Sequence, residues 1–225
     1  MAMAWNLILS GGVAHDFAAS SGVLAEVLAE VGIESEVTED IAGALAEPPE
    51  VQLITVNAMR WRMDGPHFRE RRERWRFELP TAARNAVLDH LDRGGGLLAM
   101  HAAPICFDDW IGWSRVIGAR WNWEKSHHEP LGWASVRVHR GRHPIVDGLR
   151  DFDVADEIYT DLDLEPGLTP LVSCDGRPLV WARHVRRGRV VYDALGHDTR
   201  SFDSPEHRAL VQRAALWTLR RLPAR

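Results

Sequence analysis

Short apolar runs that stop at a glycine, a histidine or a turn recur along this chain, and segments of helical periodicity separate them. This alternation limits the possible folds more than any other property of the sequence. Strands that alternate with helices across short connections are typical of a doubly wound α/β sheet with helices on both faces. The predicted strands cover residues 5–9, 33–38, 51–56, 97–100, 179–182 and 189–195.

The later part of the chain holds more predicted strands than helices, and a further strand is expected at 133–139. We therefore expect antiparallel strands to be added at the edge of a mostly parallel sheet. Neither a repeat nor a linker interrupts the 225 residues, and a 45% hydrophobic content suffices for one core. The sequence predicts one domain over residues 1–225, with helices near 23–31, 81–91, 108–117 and 206–222.

An arginine-rich stretch at 60–78 breaks this rhythm, with seven arginines between Arg60 and Arg76. The stretch could bind an anion or RNA, or it could be a solvated helix in an insertion. The second interpretation is favoured, because glutamates at 70, 73 and 78 can pair with the arginines. A formal net charge of -5 also argues against a nucleic-acid partner.

The cysteines and the first residues indicate the cellular compartment in which the protein is expected. Cys106 and Cys174 are the two cysteines, and they lack the spacing of a metal site or a disulfide framework. The apolar run at the start is too short for a signal peptide, and no stretch approaches the ~20 apolar residues of a membrane span. We predict a cytoplasmic protein without a membrane partner.

Three of the eleven histidines share one context. His15 follows the first predicted strand, His101 follows the fourth, and His197 follows the last. Carboxyl ends of parallel strands share one edge, so these imidazoles are expected together, where they could bind a metal or transfer protons. Alternatively, each one only caps a strand end. Surface positions are predicted for His67, His90, His139, His184 and His207.

Other motifs support or exclude particular chemistries. Gly11-Gly12 and residues 94–96 do not have dinucleotide-binding spacing, and neither a P-loop nor a GxSxG elbow occurs. His127-His128-Glu129 lacks the spacing of a zincin. Residues 156–159, Asp-Glu-Ile-Tyr, could supply an acid, a base or a metal ligand. Ten tryptophans could pack in the core or stack on sugar rings, and packing is favoured for any single one except Trp181.

Taken in order, these motifs resemble the ThuA (trehalose utilisation) family, whose fold is like that of class I glutamine amidotransferases. The resemblance spans nearly the whole chain. It is carried by Gly12 through His15-Asp16-Phe17, residues 94–103 (GGGLLAMHAA), Ile117-Gly118 followed by His128, His143-Pro144-Ile145 with Gly148-Leu149, residues 156–159 (DEIY), residues 178–181 (PLVW), residues 188–192 (GRVVY) and residues 195–198 (LGHD).

The resemblance implies a flavodoxin-like sheet and also shows what is missing. In amidotransferases a cysteine nucleophile occupies the sharp turn that here holds His101. Cys106, expected in the following helix, does not replace it, so a glutaminase reaction through an acyl-enzyme is not expected.

The resemblance further implies a carbohydrate or keto-sugar substrate, such as trehalose or a related disaccharide. His101, Glu157 and His197 are the catalytic candidates, with a divalent metal such as zinc as a candidate cofactor. An enzyme and a non-catalytic sugar-binding protein that assists an oxidoreductase both remain open, and exposed tryptophans in the insertion would favour a homodimer. Substrate-binding candidates are His15, Asp16, Tyr159, Trp181 and Asp198, and metal-ligand candidates are His15, His101, His197 and, further, His128 or its neighbour His127.

Overall fold

The computed structural model describes residues 3–47 and 49–222. Within these residues the strands are β1 (Ala4–Gly12), β2 (Ile33–Thr38), β3 (Leu53–Met59), β4 (Gly96–Met100), β5 (Ala119–Arg120), β6 (His127–His128), β7 (Gly132–Val138), β8 (Phe152–Asp156), β9 (Tyr159–Thr160), β10 (Asp163–Leu164), β11 (Val172–Cys174), β12 (Arg177–Val185) and β13 (Gly188–Asp193). The α-helices are α1 (Phe17–Ala29), α2 (Ile41–Ala44), α3 (Arg69–Trp75), α4 (Thr81–Asp92), α5 (Ile111–Ile117) and α6 (Pro205–Thr218).

A large mixed sheet dominates the described part of the chain, with nine strands in the order β2-β1-β3-β4-β13-β12-β11-β7-β8. The first five of these are parallel neighbours. The next four pairings are antiparallel, so β11 and β8 run with the parallel set while β12 and β7 oppose it. The antiparallel strands predicted at the edge from the later sequence are thus confirmed, and within the described residues they number four, β12, β11, β7 and β8.

Helices cover both faces of the sheet. Arg189 pairs with Gly96, so a side chain at Gly188 would point to the opposite face from one at Gly96. A Cβ added at Gly96 would meet Thr218 of α6 at 2.7 Å, whereas one at Gly188 would meet Leu91 of α4 at 2.5 Å. Both glycines therefore let a helix pack directly on the sheet, α6 on one face and α4 on the other.

The middle strands are the most apolar segments, and they carry the core. All five residues of β4 are buried, as are the first six of β3. A strand buried on both faces reads as a continuous apolar run, which is why these two could be recognised without alternation. Asp16 and Ser204 cap α1 and α6 by accepting hydrogen bonds from Ala19 N and His207 N.

The arginine-rich stretch forms a short 3-10 turn (Pro66–Phe68) and the helix α3, which has no buried residue. Several of its arginines have partners: Arg76 bonds to Glu78, and Arg72 donates to the backbone oxygens of Met63 and Gly65. Trp61 is buried and Trp75 is half-buried, so the fully exposed tryptophans that would favour a homodimer are not found in this insertion. The homodimer stays a prediction.

The observed boundaries of helices and strands differ most from the predicted ones where the neighbouring loops carry polar side chains. The helix expected at 108–117 begins only at Ile111, because Asp109 bonds instead to Leu79 N and Arg84, and Asp108 accepts from Arg62 N. Among the described residues, no helix combines the length and the apolar character needed to cross a membrane.

Candidate functional site

Three loops at the carboxyl edge of the parallel strands bring His15, His101 and His197 together. The ring centroids of His15 lie 5.2 Å from those of His101 and 4.5 Å from those of His197. The turn toward His15 depends on Gly12, because its φ of 138° is readily adopted only by glycine. A Cβ at this position would also lie 2.3 Å from Met59 O. The predicted convergence of these histidines is observed.

His101 occupies the sharp turn directly after β4 and is 1% exposed. Its φ of 34° lies in the left-handed region, which costs a non-glycine residue of the order of 1–3 kcal/mol. The surrounding backbone holds it there: His101 N donates to Asp193 O at 2.7 Å, and its carbonyl accepts from the Tyr192 hydroxyl at 2.9 Å. Strain that is fixed on both sides of a residue is typical of functional turns.

The His101 ring has a defined orientation. Its Nδ1 lies 2.8 Å from Ala194 O, and because a carbonyl only accepts, Nδ1 carries the proton. Nε2 is therefore an unprotonated acceptor aimed at the other histidines, 3.4 Å from His197 Nδ1. A histidine whose second nitrogen donates to a backbone carbonyl is the usual arrangement of a metal ligand.

His15 repeats this arrangement. Its Nδ1 lies 3.2 Å from Val13 O, which assigns the proton to Nδ1. Its Nε2 is buried and has no hydrogen-bond partner among the described residues. A buried polar atom without a partner is costly unless a ligand satisfies it.

Glu157 supplies the negative charge beside the histidines. Its Oε2 lies 3.0 Å from His197 Nδ1 and 4.0 Å from His101 Nε2. His128 Nδ1 lies 3.3 Å from the same oxygen, but the His128 side chain is 39% exposed and sits at the rim. One ligand atom from each of His15, His101, Glu157 and His197 lies within 4.8 Å of the others.

The neighbouring Asp156, which the sequence offered with Glu157 as an acid, a base or a metal ligand, is a positioning residue in the structure. It is 2% exposed and accepts hydrogen bonds from the backbone N–H groups of Gly196, His197 and Glu157. Burial raises the pKa of Asp156 to about 6, and these hydrogen bonds oppose the rise. Asp156 thereby ties the His197 loop to Glu157. Its place beside Glu157 in the acidic motif was the available signal.

Electrostatics keep the imidazoles neutral. Burial lowers the pKa of His101 well below 6.5, and His15 and His197 lower it further by repulsion. Burial likewise lowers the pKa of His15 and of His197, against the opposing effect of nearby carboxylates. Neutral imidazole is the form that binds metal ions or accepts protons.

Aromatic rings enclose one side of the cluster. Tyr159 is buried, with its ring centroid 4.5 Å from that of His101 and 5.0 Å from that of Trp121. Burial raises the pKa of Tyr159 well above its usual value, and the carboxylates of Glu157 and Asp156 add to this. The phenol is therefore neutral at physiological pH.

The remaining predicted site residues lie elsewhere or have structural roles. Trp181 is completely buried, with 0% of its surface exposed. Its Nε1 donates to Ile117 O at 2.8 Å inside the core, so the ring cannot act as a sugar platform. Asp16 caps α1, and Asp198 caps the 3-10 turn Thr199–Asp203 while pairing with Arg200. The expectation for Trp181 is corrected, since its ring belongs to the core.

Cys106 is buried at the end of the 3-10 turn Ala103–Ile105 rather than within a helix. Its Sγ–H donates to Ala58 O at 2.9 Å, and burial raises the pKa of the thiol to about 12. A thiol in this state is not an activated nucleophile.

Two histidines predicted at the surface are buried instead. His90 is 1% exposed and its Nε2 lies 2.8 Å from Gly96 O. His207 is fully buried, with Nε2 3.2 Å from Asp193 Oδ2 and Nδ1 3.0 Å from Ser201 O. Polar partners inside the core offset their burial, and the amphipathic pattern of α4 and α6 gave no sign of them.

A family model described as "Trehalose utilisation" matches residues 7–218. The chain belongs to the ThuA family. The match includes all four loops of the histidine and glutamate cluster. A search of curated proteins found no match.

Solved ThuA-like structures share this fold. A thua-like protein from Parabacteroides merdae is 18% identical, with a TM-score of 0.76 over 96% of this chain and 90% of that one. Another from Bacteroides uniformis is 19% identical, with a TM-score of 0.65 over 96% of this chain and 92% of that one. A β-galactosidase from Rahnella sp. R3 is 14% identical, with a TM-score of 0.63 over 98% of this chain and 32% of that one.

Proposed function

We propose that this ThuA-family chain is a sugar-converting enzyme whose centre is a divalent cation, zinc being the first to test, held by His15, His101, His197 and Glu157. The observation that carries the proposal is the convergence of three imidazoles and one carboxylate at the carboxyl edge of the sheet. The family description supports a sugar of trehalose utilisation as the substrate. The strand order β2-β1-β3-β4-β13 supports the flavodoxin-like interpretation of the parallel half.

The donor separations among His101, His197 and Glu157 fit such an ion. Two ligands that each lie about 2.0–2.1 Å from one zinc ion can be at most about 4.2 Å apart. The separations of 3.0 Å between His197 Nδ1 and Glu157 Oε2, and of 3.4 Å between His197 Nδ1 and His101 Nε2, lie inside that limit. An ion would also satisfy the buried His15 Nε2, which has no partner among the described residues.

A divalent ion bound there would polarise a sugar carbonyl or activate a water molecule only as a fifth ligand, because four protein ligands fill a tetrahedral site. The chain's own residues orient the substrate and move its protons. A carboxylate has two oxygens, so Glu157 can hold the ion through one and accept a proton on the other, and the half-exposed His128, 3.3 Å from Glu157 Oε2, is placed to exchange protons with solvent. His101 and His197 would hold the ion through their unprotonated nitrogens, and Tyr159 keeps water from one side of His101.

Turnover of trehalose and of a keto-disaccharide, followed by NMR on zinc-supplemented protein, tests the proposal. We expect conversion by the wild type and a loss of at least roughly 100-fold in the His101→Ala/His197→Ala double variant, because two of the proposed ligands of the ion are removed. A double variant as active as the wild type would contradict a catalytic role. Binding without turnover by the wild type would instead support the non-catalytic sugar-binding protein that assists an oxidoreductase.

A further inference from the structure

His207 of helix α6 forms a hydrogen-bonded link inside the core that the proposed reaction does not use. Its Nε2 lies 3.2 Å from Asp193 Oδ2, and its Nδ1 lies 3.0 Å from Ser201 O and 2.9 Å from Ser201 Oγ. All three residues are 0% exposed. Polar side chains without access to water are costly unless they satisfy one another, so the three groups hold a fixed arrangement.

The Asp193 end of this link leads to His101. Asp193 is the last residue of β13, and its Oδ1 accepts a hydrogen bond from Leu195 N at 3.0 Å. Its carbonyl oxygen accepts from His101 N at 2.7 Å, and the carbonyl of the next residue, Ala194, accepts from His101 Nδ1 at 2.8 Å. Because His207 and Leu195 N hold the Asp193 side chain, they also hold the backbone that orients the His101 ring.

The Ser201 end of the link leads to His197. Burial raises the pKa of Asp156 to about 6, and a hydrogen bond from Ser201 and the positive charge of His207 both oppose the rise. The Asp156 carboxylate in turn accepts from Gly196 N at 2.7 Å and from His197 N at 3.2 Å. These two hydrogen bonds fix the loop that carries the His197 ring.

We propose that His207 is the positioning residue that holds His101 and His197 where both rings can bind one divalent ion. The inference rests on the proposed function and adds a residue to it, since the fully buried His207 contacts neither ion nor sugar. Loss of a partner behind a metal ligand usually weakens metal binding by about 10- to 100-fold. A merely structural role would lower the free energy of unfolding and leave the affinity of the folded protein unchanged.

Zinc affinity of the folded protein, measured by competition with a chromophoric chelator, tests the proposal. His90→Gln is the matched control for His207→Gln, because His90 is 1% exposed, lies on helix α4 and bonds through Nε2 to Gly96 O at the opposite end of β4. We expect zinc binding to weaken roughly ten- to 100-fold in His207→Gln and less than about two-fold in His90→Gln. Ser201→Ala, which keeps His207 and removes the branch to Asp156, should weaken it in the same direction and decides the question if His207→Gln does not fold.

Amide hydrogen exchange of the metal-free proteins gives a second readout that does not need the ion. After correction for global stability, the N–H groups of Gly196 and His197 should exchange at least about ten-fold faster in His207→Gln than in the wild type. The same groups should exchange at the wild-type rate in His90→Gln.

The outcomes separate this inference from the proposed function. Equal zinc affinity in the wild type and His207→Gln would overturn the positioning role and leave the proposed function standing. An equal loss of affinity in His207→Gln and His90→Gln would also overturn it, since both buried histidines would then act through stability alone. If the wild type binds no zinc, the proposed function loses its ion and amide exchange decides: faster exchange confined to His207→Gln supports His207 as the residue that fixes the His197 loop, and unchanged exchange overturns the inference.

Discussion

At the scale of single residues, His101 combines backbone strain with a fixed ring orientation. The two properties can be separated by substitution. Glycine tolerates the φ of 34° at this position and alanine does not, while both remove the imidazole. The left-handed φ at His101 therefore lowers the free energy of unfolding, and it places the imidazole at the site.

We predict that the metal-free His101→Gly variant is more stable than metal-free His101→Ala by about 1 kcal/mol, because glycine relieves the left-handed strain. Urea denaturation of the two variants measures the difference in the free energy of unfolding. Equal stability, or a more stable alanine variant, would contradict the strain assigned to this turn.

His207 gives a prediction about pH. Burial alone would lower its pKa, but the Asp193 and Asp156 carboxylates and the hydrogen bond to Ser201 O together outweigh burial and raise the pKa above 6.5. Both ring nitrogens face acceptors, Ser201 O and Asp193 Oδ2, so the structure favours the imidazolium. A raised folded-state pKa contributes stability that is fully present below the unfolded pKa near 6.5 and is lost as pH rises through the folded value.

His207→Gln should therefore reduce the free energy of unfolding more at pH 6 than at pH 9. Urea denaturation of the wild type and the variant across this range measures the difference, in which the contributions of the other histidines cancel. A difference that does not change with pH would mean that folding leaves the pKa of His207 unchanged, and a smaller reduction at pH 6 than at pH 9 would mean that folding lowers it.

At the scale of elements, Trp181 joins the antiparallel strand β12 to helix α5. Its Nε1 donates to Ile117 O inside the core, 2.8 Å away. We predict that Trp181→Phe lowers the free energy of unfolding by roughly 1–3 kcal/mol, because the buried carbonyl loses its donor. Exposed Trp5→Phe, by comparison, should change it by less than about 0.5 kcal/mol.

Thermal or urea unfolding of these two variants measures the effect, and sugar titration serves as the second readout. Trp181→Phe should bind trehalose as the wild type does, since the ring does not reach the site. Weaker trehalose binding with unchanged stability would restore Trp181 as a sugar platform.

The sequence predicted the elements whose apolar runs are continuous, such as β4, and placed His15, His101 and His197 at one edge because parallel strands end together. It could not predict interactions made across long sequence distances. Asp156 reaches Gly196 N, and His207 reaches Asp193, through contacts that only the folded chain creates. The same reason explains Trp181, whose burial depends on α5 packing over β12.

At the scale of the whole molecule, the parallel half of the sheet brings the three histidines together, and the antiparallel half supplies Glu157 from the loop after β8. Neither half holds the complete ligand set. The arginine-rich insertion adds Trp61 and Phe68, whose rings pack on Trp123. The account therefore depends on one claim, that the four side chains at the junction bind a divalent ion.

Metal content tests that claim most directly. Untagged wild type, His101→Ala, Glu157→Gln and the exposed control His127→Ala are dialysed against zinc, then against metal-free buffer, and analysed for bound metal. We predict about one equivalent in the wild type and in His127→Ala, and a large loss in the other two, with Glu157→Gln excluding misfolding as the cause because it preserves the side-chain shape. No retained metal in the wild type, or equal retention in all four proteins, would contradict the account.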